Sequence, residues 1–280
     1  MALNKESNGY VIMFSVILVL VTAVALVTVF SFTRDTVSNN QKLEKMQNIL
    51  QAGRINVERN QAEAEYKKSI IDAFALTEKG EVKMKGEIDN VFNIDLASEL
   101  KKKEGEEKLF PVFVCNKNDS TFYILGMRGK GLWDAIWGYV ALQKDMNTIY
   151  NAVFDHKGET PGLGAEIKEG WYTAQFTGKK IADEKGEFVS VSVIKKGTAP
   201  ASDYNVDGVS GGTLTSNGLH DMLKLFFSAF YEYAKTQKNA APEVKAETVP
   251  ATNDSIPADS LALDTQATDS LNNNTTTTNH

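Results

Sequence analysis

From Tyr10 to Phe32 the chain carries no charged residue, and this run limits its architecture more than any other stretch does. Its 23 residues exceed the roughly 20 that an α-helix needs to cross a bilayer's hydrocarbon core. Backbone groups in lipid must pair within their own segment, so the run reads as one transmembrane helix, 10–32, behind a polar tail, 1–9. A cleaved signal peptide is the alternative. Ala23-Val24-Ala25 has the small-x-small form of a cleavage site, but it lies mid-run, and signal cores span only about 7–15 residues. Lys5 flanks one side and Arg34, Lys42 and Lys45 the other, so charge alone does not orient the helix.

Beyond the anchor, residues 38–76 have helical periodicity. Leu43, Met46, Ile49 and Leu50 make one stripe, which Gly53 ends; Tyr66, Ile70, Ile71, Phe74 and Ala75 make a second. With the charged stretch 77–108 they form an expected membrane-proximal region, 33–108. Strands are expected at Phe110–Cys115, Thr121–Met127, Gly138–Leu142 and Thr148–Phe154, then a helix over Ala165–Phe176 and a strand over Phe188–Ile194. The class is α+β: an anchor followed by a mixed domain, 109–238, on a mainly antiparallel sheet. From residue 239 onward Ala, Pro, Thr, Asn, Asp and Ser dominate, the composition of a disordered polar tail.

The net charge of −6 argues against a nucleic-acid partner. A lone cysteine, Cys115, forms no intrachain disulfide and reads as a small core residue. Three histidines, His156, His220 and His280, show no metal-ligand spacing, and no catalytic set is evident.

The chemically suggestive stretch is Asp207-Gly208-Val209-Ser210-Gly211-Gly212-Thr213-Leu214-Thr215-Ser216. Glycines let the backbone bend and approach a ligand closely. Hydroxyls alternate with them, and a helix is expected from about Asn217, with Thr215 or Ser216 as N-cap. A helix N-terminus suits a phosphate; a structural Gly/Ser/Thr turn explains the same residues. Gly208-x-Ser210-x-Gly212 also fits a nucleophile elbow, but the histidine that follows, His220, sits inside the expected helix, and His156 stands on the wrong side. Two further loops stand out. Arg128–Asp134 sets Gly129 and Gly131 beside Trp133, read on its own as a tryptophan capping the core. His156–Glu166 holds Thr160, Pro161, Gly162, Leu163 and Gly164 in a loop of fixed shape. Lys195-Lys196 reads as a solvated strand end or a pair facing a phosphate.

Together these motifs resemble the C subunit of the sodium-translocating NADH:quinone oxidoreductase and, more distantly, the flavoprotein subunit of the Rnf complex. Asp207 to Thr215 is similar to that family's flavin-attachment pattern, with Gly212 where alanine is usual. His156 to Gly164 is similar to its His-x-Glu-Thr-Pro-Gly-Leu-Gly loop, and Gly131-Leu132-Trp133 with Gly138-Tyr139-Val140 to a third block. The resemblance covers about residues 8–238. It implies FMN joined through its phosphate to Thr213 by a separate flavin transferase, with Ser210 and Thr215 as local alternatives and Gly211 and Gly212 shaping the turn. It implies Trp133, Thr160, Gly162 and Leu163 near the ring; Lys196 near the phosphate is inferred from charge. It further implies an electron-relay subunit among other membrane subunits, with its globular part on the periplasmic side of a bacterial inner membrane. A membrane-anchored, non-redox scaffold is the competing expectation.

Overall fold

The computed structural model describes residues 7–103 and 105–240. The expected polar tail lies, from residue 241 onward, outside the described residues. Helix α1, Asn8–Ala52, contains the uncharged run, whose side chains are almost all exposed. It continues as one helix into the stripe Met46, Ile49 and Leu50, which is buried. Short helix α2, Ala62–Ser69, follows.

The second expected helical stripe is corrected. Ile70–Leu76 is strand β1, paired antiparallel with β3, Phe110–Lys117. Ile70, Phe74 and Leu76 also fit a period of two, and Ile71, which a helical stripe would bury, is 55% exposed. The chain then forms β2, Val82–Lys83, and two short helices, α3, Ile88–Phe92, and α4, Leu96–Glu99. Three long strands complete the sheet: β4, Ser120–Lys130, β5, Ala135–Leu142, and β6, Ile149–His156. The order is β2-β1-β3-β4-β5-β6, antiparallel throughout. The sheet therefore crosses the expected boundary at residue 109.

The expected helix over 165–176 is broken. Gly164–Lys168 and Ala174–Phe176 are 3-10 turns around a four-residue helix, α5, Gly170–Thr173, because Glu169 adopts extended backbone. The expected strand over 188–194 shortens to β7, Ser192–Ile194. Ser190 takes φ +59°, which ends an extended run, and the N–H groups of Val189 and Ser190 both donate to Ile181 O. β7 pairs parallel with β8, Asn205–Asp207. Helix α6 runs from Thr213 to Ala240.

The sheet is covered on both faces. Leu219, Met222, Leu223, Phe226, Phe227 and Phe230 of α6 join Val112, Val114, Leu125 and Met127 in one buried cluster. Met46, Ile49 and Leu50 of α1 join Phe113, Cys115, Ile124 and Tyr139 in the other. Burial on both faces explains why Phe110–Cys115 reads as an unbroken apolar run. Cys115 is buried as expected, and burial pushes its thiol up to about 11.

Candidate functional site

The glycine-rich stretch leaves β8 and turns at once into α6. Gly208 N donates to Ile194 O at 2.6 Å, Gly212 N to Val209 O at 3.0 Å, and Val209 N to Ser216 Oγ at 3.0 Å. Gly211 has φ +75°, where a Cβ is strained, and a Cβ there would lie 2.6 Å from Leu163 Cδ2. These turns start α6 four residues earlier than the sequence suggests. Neither expected cap is a cap: Ser216 lies inside the helix and closes the turn behind it, and Thr215 is buried and points elsewhere. Thr213, at the first helical position, is exposed, as are Ser210 and Gly211. Among the described residues, the main-chain N–H groups of Thr213, Leu214 and Thr215 meet no acceptor, while Ser216 N donates to Gly212 O. Unpaired N–H groups and the positive end of a 28-residue helix thus lie at an exposed threonine.

Beneath this turn sits Glu159, the glutamate of the His156–Gly164 motif, to which the sequence reading gives no role. It is only 4% exposed. Oε2 accepts the Thr215 hydroxyl at 2.5 Å and Oε1 accepts Trp133 N at 3.0 Å. Burial pushes its carboxyl up, but these donors outweigh burial and hold it below the usual carboxylate range. Glu159 N in turn donates to His156 Nδ1 at 3.2 Å. Space for the carboxylate is cut by missing side chains. A Cβ on Gly131 would lie 2.4 Å from Oε1, and one on Gly164 2.5 Å from Oε2. One buried acid therefore joins the Arg128–Asp134 turn, the His156–Glu166 loop and the start of α6. An isolated glutamate within a polar loop gives no sequence signal for this, since its partners are main-chain groups and a hydroxyl distant in the chain.

Around Thr213 the structure gathers most of the expected residues. Trp133 is 69% exposed, which corrects its reading as a core cap, and its Nε1 donates to Thr160 Oγ1 at 3.2 Å. Leu163 abuts Gly211 and is 41% exposed, and Gly162 faces open space. Leu132 and Leu214 add exposed apolar surface beside them. An open groove of about 670 Å³ adjoins Trp133 on its α6 side, lined by Arg128, Asp134, Gly218 and Met222. Lys196 is exposed two residues after Ile194, whose carbonyl binds Gly208, with no ion pair among the described residues. The nucleophile-elbow alternative fails, since His220 Nδ1 accepts Val193 N at 3.2 Å and serves β7. No group of three or more His, Cys, Asp or Glu side chains suited to a metal occurs among the described residues.

A phosphorylated flavin fits this site. The hydroxyl is open to reaction, the helix start supplies unpaired donors, and an indole and a leucine offer flat apolar surface.

A family model described as an FMN-binding domain matches residues 131–227, the span from Gly131 through the site into α6. The C subunit of the Na(+)-translocating NADH-quinone reductase of Vibrio vulnificus (strain YJ016) is 41% identical over 109 residues, 39% of this chain and 42% of that one. The chain thus spans about two fifths of the length of this relative. The Haemophilus ducreyi C subunit is 29% identical over 241 residues, 80% of this chain and 91% of that one. The crystal structure of the C subunit from Parabacteroides distasonis ATCC 8503 aligns at a TM-score of 0.63 and 39% identity, covering 72% of this chain and 96% of that one. The likeness holds in both sequence and structure, over nearly the whole length of the crystallised relative: the chain belongs to the family of Na(+)-translocating NADH-quinone reductase C subunits.

Proposed function

We propose that this chain holds FMN through a phosphoester to Thr213 and relays electrons within a membrane complex that oxidises NADH, reduces quinone and moves sodium ions. The observation that carries the reading is the exposed Thr213 hydroxyl at the start of α6, ringed by unpaired N–H groups and faced by the Trp133 and Leu163 loops. Gly211, Gly212 and Ser210 shape the phosphate turn; Thr160, Gly162, Leu163 and Trp133 bound the ring; the exposed Lys196 supplies a cation to the phosphate. A flavin supplies electron transfer one electron at a time, and the protein orients it and tunes its potential. The chain has no G-x-G-x-x-G, so NADH oxidation falls to another subunit. The uncharged stretch of α1 is long and apolar enough to cross a membrane and offers no ion-binding charge, so it anchors the chain while partner subunits move sodium. A separate transferase installs the flavin, and the globular part lies on the periplasmic side, where a covalent bond prevents cofactor loss.

The test is to express the chain with an active flavin transferase and view a denaturing gel under ultraviolet light. A fluorescent wild-type band that goes dark in Thr213→Ala supports the reading. A dark wild-type band, with a control protein labelled, refutes it.

A further inference from the structure

Glu159 takes no part in attachment, yet it is the most constrained charged group at the site. Its carboxylate is buried, and no cation lies within 4.0 Å of it among the described residues. The nearby Lys157 is paired with Asp134 at 3.0 Å, and both are substantially exposed. Glu159 is thus held by dipoles, the Thr215 hydroxyl and the Trp133 N–H group. Dipoles stabilise the charge without cancelling it, and burial extends its reach, because the surroundings are less polarisable than water. Two glycines, Gly131 and Gly164, reserve its space. An acid that merely tied loops together would need neither its charge nor this seclusion, since a neutral amide fills the same volume.

We propose that Glu159 is a positioning residue of the flavin site and that its fixed negative charge lowers the flavin's reduction potential. It fixes Trp133 through the main chain and Thr215, two residues beyond Thr213, through its hydroxyl. A flavin held between those points gains an electron against a standing anion. The inference rests on the flavin reading above.

The experiment is a redox titration, followed by visible absorbance, of detergent-solubilised full-length wild type, Glu159→Gln and Thr215→Val, each made with the transferase. Glu159→Gln removes the charge at nearly constant shape. It is expected to raise the midpoint so that the reduced-to-oxidised ratio at a fixed potential grows at least tenfold, ~59 mV for a one-electron couple. Thr215→Val keeps the charge and removes a donor, so its midpoint is expected to stay or fall. A Glu159→Gln midpoint equal to wild type overturns the proposal. So does a rise of equal size in both variants, the mark of a loosened site. If Glu159→Gln takes up too little flavin to titrate, Thr215→Val decides: a raised midpoint overturns the proposal and an unchanged or lowered one sustains it. A wild type without covalent flavin sinks the flavin reading itself and is seen on the gel before any titration.

Discussion

Three glycines within seven residues of the His156–Glu166 loop separate three different costs of adding a methyl group. Gly164 is the critical one: a Cβ there would lie 2.3 Å from Thr215 Oγ1 and 2.5 Å from Glu159 Oε2. Gly164→Ala must push these two apart. Overpacking a filled site costs ~1–3 kcal/mol. Losing a hydrogen bond to a buried charge adds ~1.5–3 kcal/mol. The sum is about 2.5–6 kcal/mol, or a fall in Tm of roughly 5–24 °C for a domain of this size. Gly162 faces open space but has φ +76°, so Gly162→Ala costs only the left-handed backbone, ~1–2 kcal/mol. Gly158 has open space and no positive φ. Gly158→Ala should be neutral or gain up to ~1 kcal/mol by restricting the unfolded chain. Urea unfolding of the detergent-solubilised chain, followed by tryptophan fluorescence, gives all three. The expected order of stability is Gly158→Ala, then Gly162→Ala, then Gly164→Ala. A Gly164→Ala protein as stable as wild type would refute the account of the Glu159–Thr215 contact.

Other consequences follow from neighbouring parts of the structure. Gly218→Ala would place a Cβ 2.0 Å from Lys130 O, so it should cost ~3 kcal/mol or more by prying α6 from β4, read as a lowered urea midpoint. Trp133→Phe removes the hydrogen bond to Thr160 from a side chain that is 69% exposed; stability should change by less than ~1 kcal/mol while the flavin's fluorescence and potential shift. Burial pushes Lys45 down to about 8, so between that pH and its ordinary value of 10.5 the unfolded chain binds more protons than the folded one. Stability should therefore rise with pH across this window, by on the order of 1–3 kcal/mol, and Lys45→Met should flatten the rise, read from urea midpoints at pH 7.5 to 10.5.

The sheet's three long strands were legible as short apolar runs, rich in aromatic and β-branched residues and bounded by turn residues. β1 was not, because Tyr66, Ile70 and Phe74 satisfy helical spacing as well, and only pairing with β3 settles the choice. The 165–176 segment has helix-forming residues, but Gly170 and an extended Glu169 divide it. Of the site, Thr213, Gly211 and the Thr160–Leu163 loop were visible as glycine-rich, hydroxyl-bearing stretches. The exposure of Trp133 was hidden, since an aromatic side chain is as common in cores as at ligand surfaces. Glu159 was visible in its loop motif, but its role was not. Its role comes from Thr215, 56 residues away, and from main-chain groups that carry no sequence identity.

The central claim is a covalent flavin on one named threonine, and peptide mass spectrometry tests it most directly. Trypsin releases the segment between Lys196 and Lys224, which contains Ser210, Thr213 and Thr215. After co-expression with the transferase, the account predicts that this peptide gains the mass of FMN less one water, with fragmentation placing the addition on Thr213. An unmodified peptide from protein made with active transferase, or an addition placed on Ser210 or Thr215, would contradict it.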